Sequence, residues 1–193
     1  MRWRSWRSAI VAAGMAAALA ATGCSSGENW EEQCSTSPRL VIECAPGNRP
    51  PAPAVVGELL DGGSYDLAQE RGKVVVVNFW GSWCSPCRAE IDDLEETYQA
   101  TKEQGVAFLG INLRDDRDKA TAFHSGRTTY PSLFDPGSRL ALEFDVPPNA
   151  IPATVILDRA GQIAVVLRRP VKADELLPLV EGIAVEQSST GGT

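Results

Sequence analysis

The chain has 193 residues, 44% of them hydrophobic and 22% charged, a balance that suits one globular domain with extensions. A formal net charge of −7 supplies no electrostatic basis for nucleic-acid binding, and no such partner is expected. One histidine and five cysteines leave too few ligands for a convincing four-coordinate zinc site, so no metal and no cofactor is expected.

The N-terminus reads as an export signal over residues 1–23. Arg2, Arg4 and Arg7 form a positive stretch, and residues 9–21 an apolar one too short for a comfortable membrane span. It ends in Ala21-Thr22-Gly23-Cys24, which resembles a bacterial lipoprotein cleavage site, although Ala21 stands where that pattern usually has Leu. The resemblance implies that Cys24 carries lipid and anchors the chain to the cell membrane, facing outside the cytoplasm. Plain secretion or an uncleaved anchor are the alternatives. Residues 24–53, rich in Ser, Gly, Asn, Glu and Pro, read as a flexible tether. At this length it would reach at most roughly 100 Å. With Cys24 assigned to lipid, Cys34 and Cys44 are left to close a small loop as a structural disulfide in an oxidising compartment, or to serve as a second redox pair.

The folded domain is expected over residues 54–186. Val55 to Leu60 and Ser64 to Leu67 flank Asp61-Gly62-Gly63, a hairpin signal. Residues 74–80 are nearly all apolar, as in a central strand covered on both faces. Cys87, Ile91, Leu94 and Tyr98 then recur at helical spacing, and the helix should end near Gly105. Residues 106–113 predict a second buried strand, 119–124 a short helix, 131–135 an extended piece and 139–144 another short helix. Residues 153–158 and 162–169 predict two antiparallel strands about the turn at 159–161, and 174–184 a closing helix. Residues 187–193 read as a polar, disordered tail. The β-α-β-α-β-β-α order, with a hairpin in front and an inserted helix, predicts a thioredoxin-like α/β fold with a central mixed sheet flanked by helices.

Trp83-Cys84-Ser85-Pro86-Cys87 follows the first central strand directly and opens a helix. A helix N-terminus favours the thiolate, the form that attacks disulfides. Two cysteines two apart beside a βαβ pattern read as a thioredoxin-like redox motif, against half a zinc site or a structural bridge. Cys84, ahead of the helix, should be exposed and act as nucleophile; Cys87, in the first turn, should be more buried and resolve the mixed disulfide. Pro86 suits a first helical turn. Trp83 and Trp80 could form part of a docking face or the core, and Trp80 reads better as core. Glu90 lies one turn after Cys87 on the same helix side. His124 reads as a surface or capping residue, and the charged run Arg114-Asp115-Asp116-Arg117-Asp118 as a solvated loop.

From Gly72 through Glu90, and again at Ile151-Pro152-Ala153-Thr154, the sequence resembles thioredoxin-like proteins of the TlpA/ResA type, over roughly residues 55–185. These are membrane-tethered thiol–disulfide oxidoreductases working outside the cytoplasm. The resemblance implies a cis peptide bond before Pro152, with Ile151 and Pro152 offering a backbone edge to substrate beside the dithiol. It implies that Glu90 controls the active cysteines, in a chain that carries Asn78 where cytoplasmic thioredoxins bury an aspartate. The implied substrates are cysteine-containing proteins, in particular apocytochrome c, with electrons drawn from a membrane thiol transporter of the CcdA type and the chain acting as a monomer. A thiol oxidant that forms disulfides in secreted proteins fits the same motif. A copper carrier of the Sco type needs cysteines three apart and a positioned histidine; a peroxiredoxin needs a peroxidatic cysteine in a Pro/Thr-rich loop. Neither pattern is present.

Overall fold

The computed structural model describes residues 30–186. The expected signal segment, the lipidation residue Cys24 and the expected tail lie outside them. Four helices and nine strands form the described fold: β1 (Ser35–Thr36), β2 (Val41–Glu43), β3 (Val56–Glu58), β4 (Ser64–Asp66), β5 (Val74–Trp80), α1 (Ser85–Thr101), β6 (Val106–Leu113), α2 (Arg117–His124), β7 (Ser132–Asp135), α3 (Arg139–Glu143), β8 (Ala153–Leu157), β9 (Ile163–Leu167) and α4 (Ala173–Val185). Seven strands make one mixed sheet in the order β1-β2-β9-β8-β5-β6-β7, and β3 and β4 pair as a separate hairpin. The thioredoxin-like expectation, with its frontal hairpin and inserted helix, matches this architecture.

Strand β5 is central because both its faces are apolar. All seven of its residues are buried. Val74 and Val76 pack with Leu94, Phe108, Leu176 and Val180, joining the sheet to α1 and α4. Val75, Val77 and Phe79 face the other way, into Leu109, Ile111, Leu133, Leu140 and Phe144 beneath α3. Alternate side chains of a strand point to opposite faces, so one apolar run serves two cores. β6 runs parallel to β5 and β8 antiparallel, which puts the C-terminal end of β5 beside the start of β8. α1 and the short 3-10 turn after it end at Gly105, whose φ of 77° is the left-handed conformation a helix terminus favours.

Residues 30–53 depart from the expectation of a flexible tether. β2 pairs antiparallel with β9, with Val41 opposite Leu167 and Glu43 opposite Val165. β1 adds a further short strand. Cys34 and Cys44 form a disulfide. Arg49 is buried and ties the segment down: its Nε donates to the Cys44 carbonyl at 3.0 Å, and Nη1 donates to Asp158 at 3.2 Å and to Glu186 at 2.6 Å. The reason lies outside the segment. β9 would otherwise be an edge strand with a row of unpaired backbone groups, and residues 41–43 cover it.

Candidate active site

The dithiol stands where β5 hands over to α1. Cys84 is the residue that caps α1, and its Sγ lies 3.2 Å from the Cys87 backbone nitrogen, which donates to it. Cys84 and Cys87 are joined as a disulfide, with Pro86 in the first helical turn. The helix N-terminus therefore points the Cys87 backbone N–H at Cys84 sulfur, an arrangement that favours a thiolate there. Cys84 is 4% exposed and Cys87 1%, so the expected exposure of Cys84 is corrected. In the bonded state Cys84 sits within an apolar cluster with Cys87, Leu60, Trp80 and Ala120, against Ile151 and Phe123.

The loop before β8 closes the other side. The Ile151–Pro152 peptide bond is cis, and the Ile151 carbonyl oxygen lies 3.9 Å from Cys84 Sγ. Trp83 is half exposed at the mouth, its indole N–H donating to the Leu113 carbonyl at 3.1 Å. Trp80 is core, donating to Ser132 Oγ at 3.0 Å and stacked on His124 at 5.5 Å between ring centres.

Glu90 is buried one turn beyond Cys87. Its Oε1 accepts from Asn78 Nδ2 at 2.9 Å and its Oε2 from the Val171 backbone N–H at 3.0 Å. Burial pushes its pKa up to about 7; the two donors pull it down but only in part, and Asp93 adds to the rise. Asn78 is thus a donor to the buried acid, and it also lies 3.2 Å from Thr154 Oγ1 on β8. A lone amide in an apolar strand was the signal that could have identified this pairing.

Other site-forming residues were not visible in the sequence. The run at 114–118 is a bracket rather than a solvated loop. Asp115 accepts from the Ser82 backbone N–H at 2.5 Å, from Ser82 Oγ at 2.8 Å and from Asn112 Nδ2 at 2.9 Å, holding the loop that carries Cys84 against the end of β6. Asp116 caps α2 by accepting from Lys119 N, and Arg117 pairs with Glu58. His124 is buried, correcting its expected surface role, and burial pushes its pKa down to about 4.

The disulfide Cys34–Cys44 does not approach this site. Cys44 N donates to the Ala164 carbonyl, and through β9 and β8 that position is level with Val75 and Val76, at the start of β5. Cys84 lies beyond the opposite end of β5. Strand rise and strand spacing put the two disulfides roughly 20 Å apart. Among the described residues no group of three or more His, Cys, Asp or Glu side chains could hold a metal ion.

A reactive disulfide at a helix N-terminus, a cis-proline loop against its outer sulfur and a thioredoxin-like sheet define a thiol–disulfide oxidoreductase. The chain belongs to the AhpC/TSA family, which it matches over residues 49–166. It is similar to the thiol–disulfide oxidoreductase ResA of Geobacillus kaustophilus, with 29% identity over 133 residues covering 68% of this chain and 75% of that protein. It is similar to the thiol:disulfide interchange protein HelX of Rhodobacter capsulatus, with 34% identity over 125 residues, 62% of this chain and 68% of that protein. Among solved structures, a secreted thiol–disulfide isomerase from Corynebacterium glutamicum superposes with a TM-score of 0.74 at 32% identity, covering 79% of this chain and 96% of its own.

Proposed function

We propose that this chain is a lipid-anchored, extracytoplasmic reductant of protein disulfides, and that its substrates are the cysteines of apocytochrome c. The observation that carries the reading is the buried Glu90 carboxylate, held by Asn78 one turn from Cys87 with a pKa of about 7. An acid poised there takes and returns a proton at working pH. In the reductive step the Cys84 thiolate attacks one sulfur of the substrate disulfide, the S–S bond breaks, and a mixed disulfide forms. The leaving substrate thiolate takes a proton. Cys87 loses its proton to Glu90 and attacks Cys84 Sγ, which expels the second substrate thiolate. Two electrons pass to the substrate, and Cys84–Cys87 is left oxidised. A membrane thiol transporter of the CcdA type would return two electrons to it. Trp83, Pro86, Ile151 and Pro152 line the substrate's approach, with the Ile151 carbonyl available to pair with an extended segment.

Lipid on Cys24 would hold this domain close to the membrane. Because residues 30–53 belong to the fold, five residues separate Cys24 from Trp30, a reach of roughly 20 Å rather than 100 Å. That favours partners in or at the membrane. Cys34–Cys44 acts as a structural clamp on β1 and β2, and monomeric action suits a site built from one chain.

A second reading is an oxidant or isomerase acting on secreted proteins; the likeness to the isomerase from Corynebacterium glutamicum favours it. The reduction potential of Cys84–Cys87 in the full chain decides. A value near about −270 mV supports the reductant, and one near about −120 mV overturns it in favour of the oxidant. A fragment starting after residue 53 is unsuitable, since it would strip β1 and β2 from the sheet.

A further inference from the structure

We infer that the mouth of the dithiol selects substrates whose cysteines are flanked by carboxylate side chains; this rests on the reading of Cys84 as the attacking sulfur. Two exposed arginines, Arg88 and Arg114, both contact the loop 81–83, Arg88 at Ser82 and Arg114 at Trp83. Arg114 lies at the tip of the turn after β6 with φ of 47°, a left-handed conformation that is uncommon for a residue with a side chain and that clusters at functional sites. Its guanidinium covers the Trp83 ring at 5.3 Å, and its Nη2 donates to the Pro148 carbonyl at 2.8 Å, in the loop that leads to Ile151 and Pro152. It therefore bridges the two lips of the site. Arg88 approaches from α1: its Nη1 donates to the Ser82 carbonyl at 3.3 Å, and its guanidinium lies 4.9 Å over Phe123.

Among the described residues neither guanidinium forms an ion pair. Of the acids nearby, Glu58 pairs with Arg117 and Asp92 with Arg127, while Asp115 and Asp116 accept from neutral donors on Ser82, Asn112 and the start of α2 rather than from either arginine. Both arginines are held by carbonyls and aromatic faces, contacts that fix position and leave each guanidinium without a carboxylate partner of its own. In a chain of net charge −7, this places two guanidiniums free to take a carboxylate beside the exposed Trp83 at the reactive disulfide. An extended segment laid against Ile151 to reach Cys84 comes close to both, since Arg114 is bonded to Pro148 in the same loop as Ile151 and Arg88 to Ser82 in the loop that carries Cys84. A Glu or Asp beside its cysteine gains an ion pair there, and a Lys meets repulsion.

The test uses three synthetic peptides with one internal disulfide, flanked by Glu, Gln or Lys, and the reduced full chain at low ionic strength. The reduction rate is followed by tryptophan fluorescence. For wild type, kcat/KM for the Glu peptide should exceed that for the Lys peptide by about tenfold, about threefold for each exposed ion pair. Salt at 0.5 M should shrink this ratio. In Arg88→Gln/Arg114→Gln the ratio should fall to within about twofold, and Arg88→Lys/Arg114→Lys should restore most of it. The ratio scales out any general loss of activity, so a merely structural disturbance would not move it. Equal rates in wild type, or an undiminished ratio in the glutamine variant, would overturn the inference. Reduction of none of the three peptides by wild type would instead overturn the reading of Cys84 on which it rests.

Discussion

Asn78 Nδ2 lies 2.9 Å from Glu90 Oε1, so a neutral amide on β5 and an acid on α1 share a buried hydrogen bond one turn from Cys87. The amide holds the carboxylate in place without adding a charge of its own. Burial then sets the acid's pKa near neutrality rather than in the usual carboxylate range.

The first prediction concerns catalysis. Glu90→Gln keeps the acceptor oxygen for Asn78 and removes the titrating proton. The wild-type reduction rate should rise with pH through an inflection near 7, reporting ionisation of Glu90. In the variant that inflection should vanish and kcat/KM at pH 7 should fall about a hundredfold. An inflection that persists in Glu90→Gln would assign the proton to another group.

The same substitution changes stability in a direction that can be worked out. The folded pKa of Glu90, about 7, exceeds the ordinary 4.5, so the native state holds more protons than the unfolded state between these values. Stability is therefore fully present below pH 4.5 and falls as pH rises through 7, by at most about 3 kcal/mol. Urea unfolding of Glu90→Gln should show that fall removed, with the variant gaining on wild type from pH 5 to 8.

His124 should tilt the profile the opposite way. Its folded pKa of about 4 lies below the ordinary 6.5, so the unfolded state binds the extra proton between those values. The stability of the neutral ring is present above pH 6.5 and is lost as pH falls through 4. His124→Phe keeps an aromatic ring against Trp80 and should flatten the acid limb. Wild type, carrying both groups, should show a shallow dependence between pH 4.5 and 6.5, and each single variant should expose the other's slope.

The clamp at Cys34–Cys44 should matter for stability and little for chemistry. The two cysteines are 10 positions apart, and losing this cross-link should cost about 2–3 kcal/mol in the chain-entropy account. In Cys34→Ser/Cys44→Ser, hydrogen exchange should accelerate over residues 35–43 while insulin reduction stays within twofold. A large loss of activity would revive the reading of this pair as a redox relay.

Gly110 is a point of close approach. A Cβ there would lie 2.6 Å from Ser132 Oγ and 2.9 Å from Trp80 Nε1, the two atoms joined by a hydrogen bond. Gly110→Ala should break that bond and cost about 1–3 kcal/mol, read by thermal unfolding. It should also shift the emission of the buried tryptophan.

The central strand and the two cysteines at a helix start were legible in local spacing and periodicity, which a few neighbouring residues specify, whereas the role of Glu90 and the cis bond before Pro152 were legible only through the resemblance to TlpA/ResA-type proteins. Residues 30–53 were misread for a matching reason: their short strands and proline-rich stretch carry no periodicity, and they join the sheet only because β9 offers an unpaired edge more than a hundred residues later. Burial of Cys84 and His124, the donor role of Asn78 and the bracket made by Arg114 and Asp115 depend on which segments the fold brings together. Local sequence encodes which backbone conformation a segment prefers and which side chains share its face. What surrounds a side chain, and therefore its charge state and its partners, is decided by long-range packing, which spacing along the chain does not record.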